Sequence, residues 1–112
     1  MNIKDIALCL TEFSEKHDLI GHAIKSCKVA IENCLEENPE EGYPLSEIEL
    51  RFEKQEFVFK HHFYHTPCIK TQIGLYRLVQ GAAPEDESGR YGYYILDTDM
   101  NNHFDDWLVY EE

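Results

Sequence analysis

The spacing of apolar residues changes its period at Pro44, and this change constrains the fold more than any other feature of the sequence. Before Pro44 the apolar residues recur every three or four positions, as in amphipathic helices, from Ile3 to Phe13 and again from Ile20 to Leu35. After Pro44 they alternate with polar residues, which is typical of strands. The sequence therefore predicts an α+β fold in which helices precede an antiparallel sheet.

The helical part is predicted to span residues 2–38 and to contain two helices. Asn2 is placed to cap the first helix and Asp18 the second. Pro39 ends the second helix, because the residue before a proline avoids the helical conformation. Gly21 weakens the start of the second helix, so a single bent helix is the alternative.

The rest of the chain is predicted to be a linker, residues 39–44, and a sheet part, residues 45–112. A chain of 112 residues can build one core but not two, so we expect a single domain covering residues 1–112. The sheet is expected to be a five-stranded antiparallel meander, with two N-terminal helices packed on one face. Ile69–Gln80 is expected to be its third strand.

The first two strands are predicted to form a hairpin around Lys54-Gln55. Apolar residues alternate with polar ones on both sides of this dipeptide. A two-residue turn there pairs Phe52 with Phe57 and brings the apolar residues of both strands to one face. The two strands would be residues 45–53 and 56–65.

The stretch Tyr91–Tyr110 is predicted to be the closing hairpin, with a two-residue turn at Asn101-Asn102. Counting outward from that turn, Asp97 faces Asp106. Both predicted faces are apolar, so both are expected to pack against other parts of the protein or against a partner. One face carries Tyr94, Leu96, Trp107 and Val109; the other carries Tyr91, Tyr93, Ile95, Leu108 and Tyr110, with Asp97 and Asp106 at its end.

The second of these faces is predicted to bind a partner. Like charges directly opposed across strands cost up to about 1 kcal/mol, so a Lys or Arg of a partner is expected between Asp97 and Asp106. The alternative is that both carboxylates are simply solvated. Aromatic residues at the centre with charges at the edge are the usual anatomy of a protein–protein interface. The predicted partner-binding residues are Tyr91, Tyr93, Asp97, Asp99, Asp105, Asp106, Leu108 and Tyr110.

The charge of the chain is strongly negative and unevenly distributed. The net charge is −12, and residues 32–56 and 85–112 each hold nine acidic residues, whereas residues 57–84 hold none. Phosphate binding requires a basic surface, so nucleic acid is not expected as a partner. A charge of this sign favours a basic protein partner, or serves solubility alone.

The histidine-rich stretch around residues 61–68 is the strongest candidate for a metal site. Its potential ligands are His61, His62, His65 and Cys68. In a strand, however, His61 and His62 point to opposite faces, and His61 lies about 13 Å from His65. Ligands of one zinc ion must converge, so we expect one core histidine and two surface ones, with no metal and no other cofactor.

Catalytic motifs are weak throughout the sequence. Asp97, Asp99 and Asn101 echo the first half of a calcium loop, but Leu108 stands where the bidentate glutamate is required. No serine lies in a nucleophile-elbow context, and no glycine-rich phosphate loop is present. We therefore expect a protein that is not an enzyme.

The compartment is predicted to be the cytoplasm. The first ten residues show no apolar run after a basic segment, so neither a signal peptide nor a membrane span is expected. The four cysteines form no C-x-x-C pair, which favours reduced thiols.

The size, acidity and helix-plus-sheet plan resemble those of the immunity proteins that neutralise bacterial toxins, including nuclease toxins. This resemblance implies a small binding protein that masks a basic surface of another protein. A viral inhibitor that mimics nucleic acid by its charge would have the same features.

A second hypothesis belongs to a different class of function. Cystatin-like and nuclear-transport-factor-like domains hold a small molecule between helices and a curved sheet, and a pocket of that kind would use His61, Tyr76 and Trp107. A homodimer that pairs the hairpin faces is a third alternative.

Overall fold

The computed structural model describes residues 3–58, 67–78, 89–99 and 104–111. Four strands form one antiparallel sheet in the order β1-β2-β3-β4. The predicted α+β class is confirmed; five strands were expected, and the described residues contain four. The elements are α1 (Ile3–Lys16), α2 (Leu19–Glu37), a 3-10 turn (Leu45–Glu47), β1 (Ile48–Val58), β2 (Cys68–Arg77), β3 (Arg90–Asp99) and β4 (Phe104–Tyr110).

The two helices are separated at Asp18, which adopts the left-handed conformation with φ 47° and caps α2. Its Oδ1 accepts a hydrogen bond from the Gly21 amide at 3.3 Å. A Cβ at Gly21 would lie 2.2 Å from the Asp18 Oδ2, so the glycine that weakens the helix by propensity makes room for its cap. At the other end, the Asn38 amide donates to the Cys34 carbonyl at 2.8 Å.

The main core lies between α2 and the sheet. Ala23, Cys27 and Ile31 are fully buried on one side of α2. The sheet residues that cluster with them define what we call the near face: Ile48 of β1, Ile73 and Leu75 of β2, and Tyr94 and Leu96 of β3. The residues between them along each strand point to the opposite side, which we call the far face.

α1 reaches the sheet at a second, smaller cluster. Leu10 is buried there with Leu19 and Ile69, and Phe57 packs against them. The Gln55 side-chain amide donates to the Ser14 hydroxyl at 2.8 Å and to the Thr71 hydroxyl at 3.1 Å. These bonds satisfy polar groups at a partly buried site, as such sites require.

The predicted hairpin around Lys54-Gln55 is wrong, because both residues lie inside one continuous strand, β1. The pairing with β2 shifts at Glu53, where β1 carries one extra residue as a β-bulge. A β-bulge and a two-residue turn both shift the alternation of apolar and polar residues by one position. The sequence pattern alone therefore does not distinguish them, which explains the error. Residues 59–66, the rest of the predicted second strand, lie outside the described residues.

The closing hairpin is present as β3 and β4, but its predicted register is wrong by one residue. Asp97 lies opposite Asp105, and Leu96 lies opposite Asp106. A two-residue turn requires an even number of residues between paired positions, and the pair Thr98–Phe104 encloses five. Asn101 and Asn102 lie outside the described residues.

This one-residue difference exchanges the two faces of β4. Leu108 and Tyr110 pack against the near-face core rather than pointing away from it. Trp107 lies on the far face and is 41% exposed.

No helix in the described part of the chain combines the length and apolarity that crossing a membrane would take.

Candidate functional site

The predicted partner-binding residues do not share one face. Tyr91 sits at a bulge in β3 and, like Leu108 and Tyr110, packs against the near-face core. Asp106 shares that side of β4, because it lies opposite Leu96. The far face carries Tyr93, Asp97, Asp99 and Asp105.

Asp97 is fully buried, so it is not accessible to a partner. It lies opposite Lys70 on β2 and opposite Asp105 on β4. Burial, together with the Asp97 carboxylate, raises the pKa of the neighbouring Cys68 thiol to about 12. Asp97 and Asp106 are on opposite faces, so no gap for a cation exists between them.

A cleft of about 460 Å³ lies between the C-terminal half of α2 and the near face of β4. The helix contributes residues three or four apart, which lie on one side of it, and the strand contributes alternate residues. The lining residues are Ala30, Asn33, Cys34 and Glu37 of α2, Glu41 beyond its end, and Asp106, Leu108 and Tyr110 of β4.

The cleft is acidic at its rim. Glu37, Glu41 and Asp106 are exposed, whereas Leu108 and Tyr110 are half-buried. None of the described residues that line the cleft is basic, and the last turn of α2 holds no basic residue. The negative end of the α2 dipole therefore adds to the negative potential that the carboxylates create in the cleft. The arrangement suits a cation that carries an apolar stem.

Tyrosine side chains hold parts of the cleft in place. The Tyr94 hydroxyl donates to the Asp106 Oδ2 at 2.8 Å, and burial and this bond raise the pKa of Tyr94. Tyr110 stacks on Tyr91 with ring centroids 5.8 Å apart, and Tyr43 meets the Tyr91 ring edge-on at 5.1 Å. Burial, and next the neighbouring Cys34 thiol, raise the pKa of Tyr110. The wall of the cleft is therefore tied to the core.

Gly42 closes the turn after α2 over the Tyr110 ring. Its φ of +85° lies in the region that favours glycine. A Cβ at Gly42 would lie 2.9 Å from the Tyr110 hydroxyl oxygen. A side chain at this position would therefore strain the turn and displace the ring.

Glu53 forms a separate polar cluster on the far face. Its Oε1 accepts from Gln72 and from Arg90 Nη2, both at 2.9 Å. Its Oε2 accepts from the Tyr76 hydroxyl at 2.7 Å and from Arg90 Nε at 2.9 Å. The hydrogen bond from Arg90 is the main cause that lowers the pKa of Glu53 to about 2. Two donors on each carboxylate oxygen leave little capacity for a ligand, so this cluster joins strands.

Gly74 makes that cluster possible. A Cβ there would lie 2.5 Å from the Glu53 carboxyl carbon, so the Glu53 side chain crosses β2 where β2 has no side chain. Arg90 also pairs with Glu111, beyond the end of β4. The cluster thus connects β1, β2 and β3 with the residue that follows β4.

Sequence reasoning named Asp106, Leu108 and Tyr110 on β4, but it missed the α2 side of the cleft and the whole of the Glu53 cluster. The run of acids at the end of α2, without a compensating lysine after Lys28, was a usable signal for Glu37 and Glu41. The Glu53 cluster depends on a bulge and on cross-strand neighbours, which the sequence does not display.

The predicted metal and small-molecule sites are represented only by Cys68, Tyr76 and Trp107 among the described residues. In the described part of the chain, no three His, Cys, Asp or Glu side chains are grouped to hold a metal ion. His61, His62 and His65 lie outside the described residues. Tyr76 bonds Glu53 and lies 4.2 Å beneath the Arg51 guanidinium, while Trp107 lies 5.5 Å from the Lys70 ammonium. Both rings are thus engaged on the far face.

No protein-family model, no curated protein and no solved structure matches this chain.

Proposed function

We propose that this chain is a small, non-enzymatic acidic protein that masks a basic surface of another protein. The acidic cleft between α2 and β4 is the observation that supports this proposal, and it would hold a Lys or Arg side chain of the partner. In this role the protein would resemble immunity proteins and other toxin inhibitors.

The shape and charge of the cleft fit such a side chain. Lys and Arg combine a long apolar stem with a charged head. The stem would lie along Leu108 and Tyr110, and the head would meet Glu37, Glu41 or Asp106. Asp106 is held by Tyr94, so less side-chain freedom is lost when the cation binds.

The charge of the whole chain supports the same proposal. A net charge of −12 attracts basic partners over a distance and speeds their encounter. Salt screens exposed charges over roughly 8–10 Å at physiological strength, so association should weaken as salt rises.

Two double variants test the proposal. Glu37→Gln/Glu41→Gln removes charge from the rim of the cleft, whereas Glu12→Gln/Glu15→Gln removes equal charge from exposed positions on α1. Protein from each variant and from the parent is used to capture partners from the source organism, at about 50 mM and about 500 mM salt. Captured proteins are identified by mass spectrometry, and their affinity for each variant is then measured.

We expect a basic partner that binds the parent and the α1 variant equally well. The cleft variant should bind it about tenfold more weakly or worse, because the partner's cation loses its paired charge. A partner with an acidic contact surface, or binding that is indifferent to salt, would contradict the proposed function. Equal loss of affinity in the cleft variant and the α1 variant would place the contact outside the cleft.

A further inference from the structure

β4 is an edge strand in the described part of the sheet, since only β3 pairs with it. The Glu111 amide donates to the Tyr91 carbonyl at 2.8 Å, which continues the register of the β3–β4 pair. In an antiparallel pair the residues that bond across the ladder alternate with those that do not. The backbone groups of Val109 and Trp107 therefore face β3, and those of Leu108 and Tyr110 point outward.

The outer edge of β4, as far as it is described, lacks three common protections against strand pairing. Edge strands are commonly blocked by lysine, by proline or by a bulge. The sequence of Phe104–Tyr110 contains no lysine and no proline, and its described pairing with β3 shows no bulge. Charge is present only near its start, where Asp105 and Asp106 are negative.

The same outward-facing residues also line the acidic cleft. Asp106, Leu108 and Tyr110 direct their side chains to the near face, where α2 contributes Glu37 and Glu41. A strand added beside β4 would extend the sheet along the open side of the cleft. Alternate side chains of that strand would then face the helix, because a strand projects successive side chains to opposite faces.

We propose that the partner binds as an extended basic segment that adds a fifth strand to the edge of β4. Its alternate Lys or Arg side chains enter the cleft, and the side chains between them pass Trp107 and Val109 on the far face. This inference rests on the proposed function and specifies how the basic partner is held. Main-chain bonds to β4 give affinity, and the cleft selects for positive charge.

A second copy of this chain fits the edge less well. If two β4 strands paired in antiparallel fashion about Leu108, Asp105 of each copy would lie opposite Glu111 of the other. Like charges directly opposed across strands are destabilising. The net charge of −12 on each copy adds repulsion over a longer range.

Synthetic peptides of alternating arginine and valine, about seven residues long to match β4, test this inference. The parent peptide is compared with one N-methylated on its arginine amides and one N-methylated on its valine amides. Both modified peptides keep the charge and side chains, but each removes one alternate set of backbone donors. Binding is followed by the fluorescence of Trp107, the single tryptophan, and by hydrogen exchange at the Leu108 and Tyr110 amides.

We expect the parent peptide to bind and to slow exchange at both amides. One methylated peptide should bind as well as the parent, and the other about tenfold more weakly or worse, because its backbone bonds are lost. If methylating the arginine amides weakens binding, the peptide adds antiparallel to β4. If methylating the valine amides weakens binding, the peptide adds parallel to β4.

Equal binding of all three peptides would overturn strand addition and leave recognition of basic charge intact. Binding of none of them would also overturn strand addition, because backbone pairing tolerates many sequences. The capture experiment with Glu37→Gln/Glu41→Gln would then decide separately whether the proposed function stands. Self-association of the free chain, measured by light scattering, would assign the edge to a second copy instead.

Discussion

Glu53 is the residue whose side chain connects most of the sheet, through Arg90, Tyr76 and Gln72. The Glu53→Gln variant keeps the shape of the side chain but loses its charge. We expect it to lower the free energy of unfolding by about 1.5–3 kcal/mol, the range for hydrogen bonds to charged groups. Urea unfolding measures this change.

Glu56→Gln is the matched control for that variant, because it lies on the same strand. Glu56 pairs with Lys54, and both side chains are 53% exposed. Exposed ion pairs contribute little, so this control should change stability by less than about 1 kcal/mol. Equal effects of the two variants would show that the Glu53 cluster does not hold the sheet together.

The same carboxylate gives the stability a defined pH dependence. The pKa of Glu53 falls from its usual 4.5 to about 2 on folding, mainly through Arg90. A lowered acid pKa stabilises the protein above pH 4.5, and this contribution is lost as the pH falls towards 2. We expect the stability difference between the parent and Glu53→Gln to close across this interval in urea titrations. A difference that stays constant with pH would contradict the assigned ion pair.

At the scale of the element, β4 offers a direct check of its register. Leu108 packs against the near-face core, whereas Trp107 is 41% exposed on the far face. Leu108→Ala should therefore cost about 2 kcal/mol of stability, and Trp107→Ala no more than about 1 kcal/mol. If Trp107→Ala loses more stability than Leu108→Ala in urea unfolding, the register expected from a two-residue turn is the correct one.

The acids at the end of α2 provide a second prediction at this scale. Glu37 lies in the last turn, where the helix dipole is negative and an acid is unfavourable. Glu37→Gln should raise the free energy of unfolding by about 0.3–1 kcal/mol, while weakening the capture of a basic partner. Glu12→Gln, within α1, should change neither the free energy of unfolding nor the capture of a basic partner. Thermal unfolding and binding measured on the same samples would show the opposed signs.

How far the sequence predicts these elements depends on whether the signal is local. The cap at Asp18 and the end of α2 before Pro39 follow from residues within one turn of each other, and both were predicted. The alternation across Glu53 has two solutions, a turn or a bulge, and only the pairing of β1 with β2 selects between them. The register of β4 likewise depends on the number of residues in its connection, which alternation alone does not determine.

At the scale of the molecule, the net charge of −12 should oppose folding and favour binding. Self-repulsion among the carboxylates destabilises the compact state, and salt screens it. We expect the melting temperature of the free protein to rise by a few degrees with added sodium chloride, while affinity for a basic partner falls. A melting temperature that falls with salt would show that local ion pairs outweigh the repulsion.

The bulge at Glu53 also limits how the length of this chain can change during evolution. Near-face positions in β1 are even-numbered before the bulge, as at Ile48 and Leu50, and odd-numbered after it, as at Gln55 and Phe57. Deleting one residue there would remove the bulge and leave both halves of β1 facing as they do now, whereas deleting one residue elsewhere in β1 would turn part of the strand inside out. Descendants of this sequence should therefore lose a single residue more readily at this point than elsewhere in β1, although they would lose the Glu53 cluster with it.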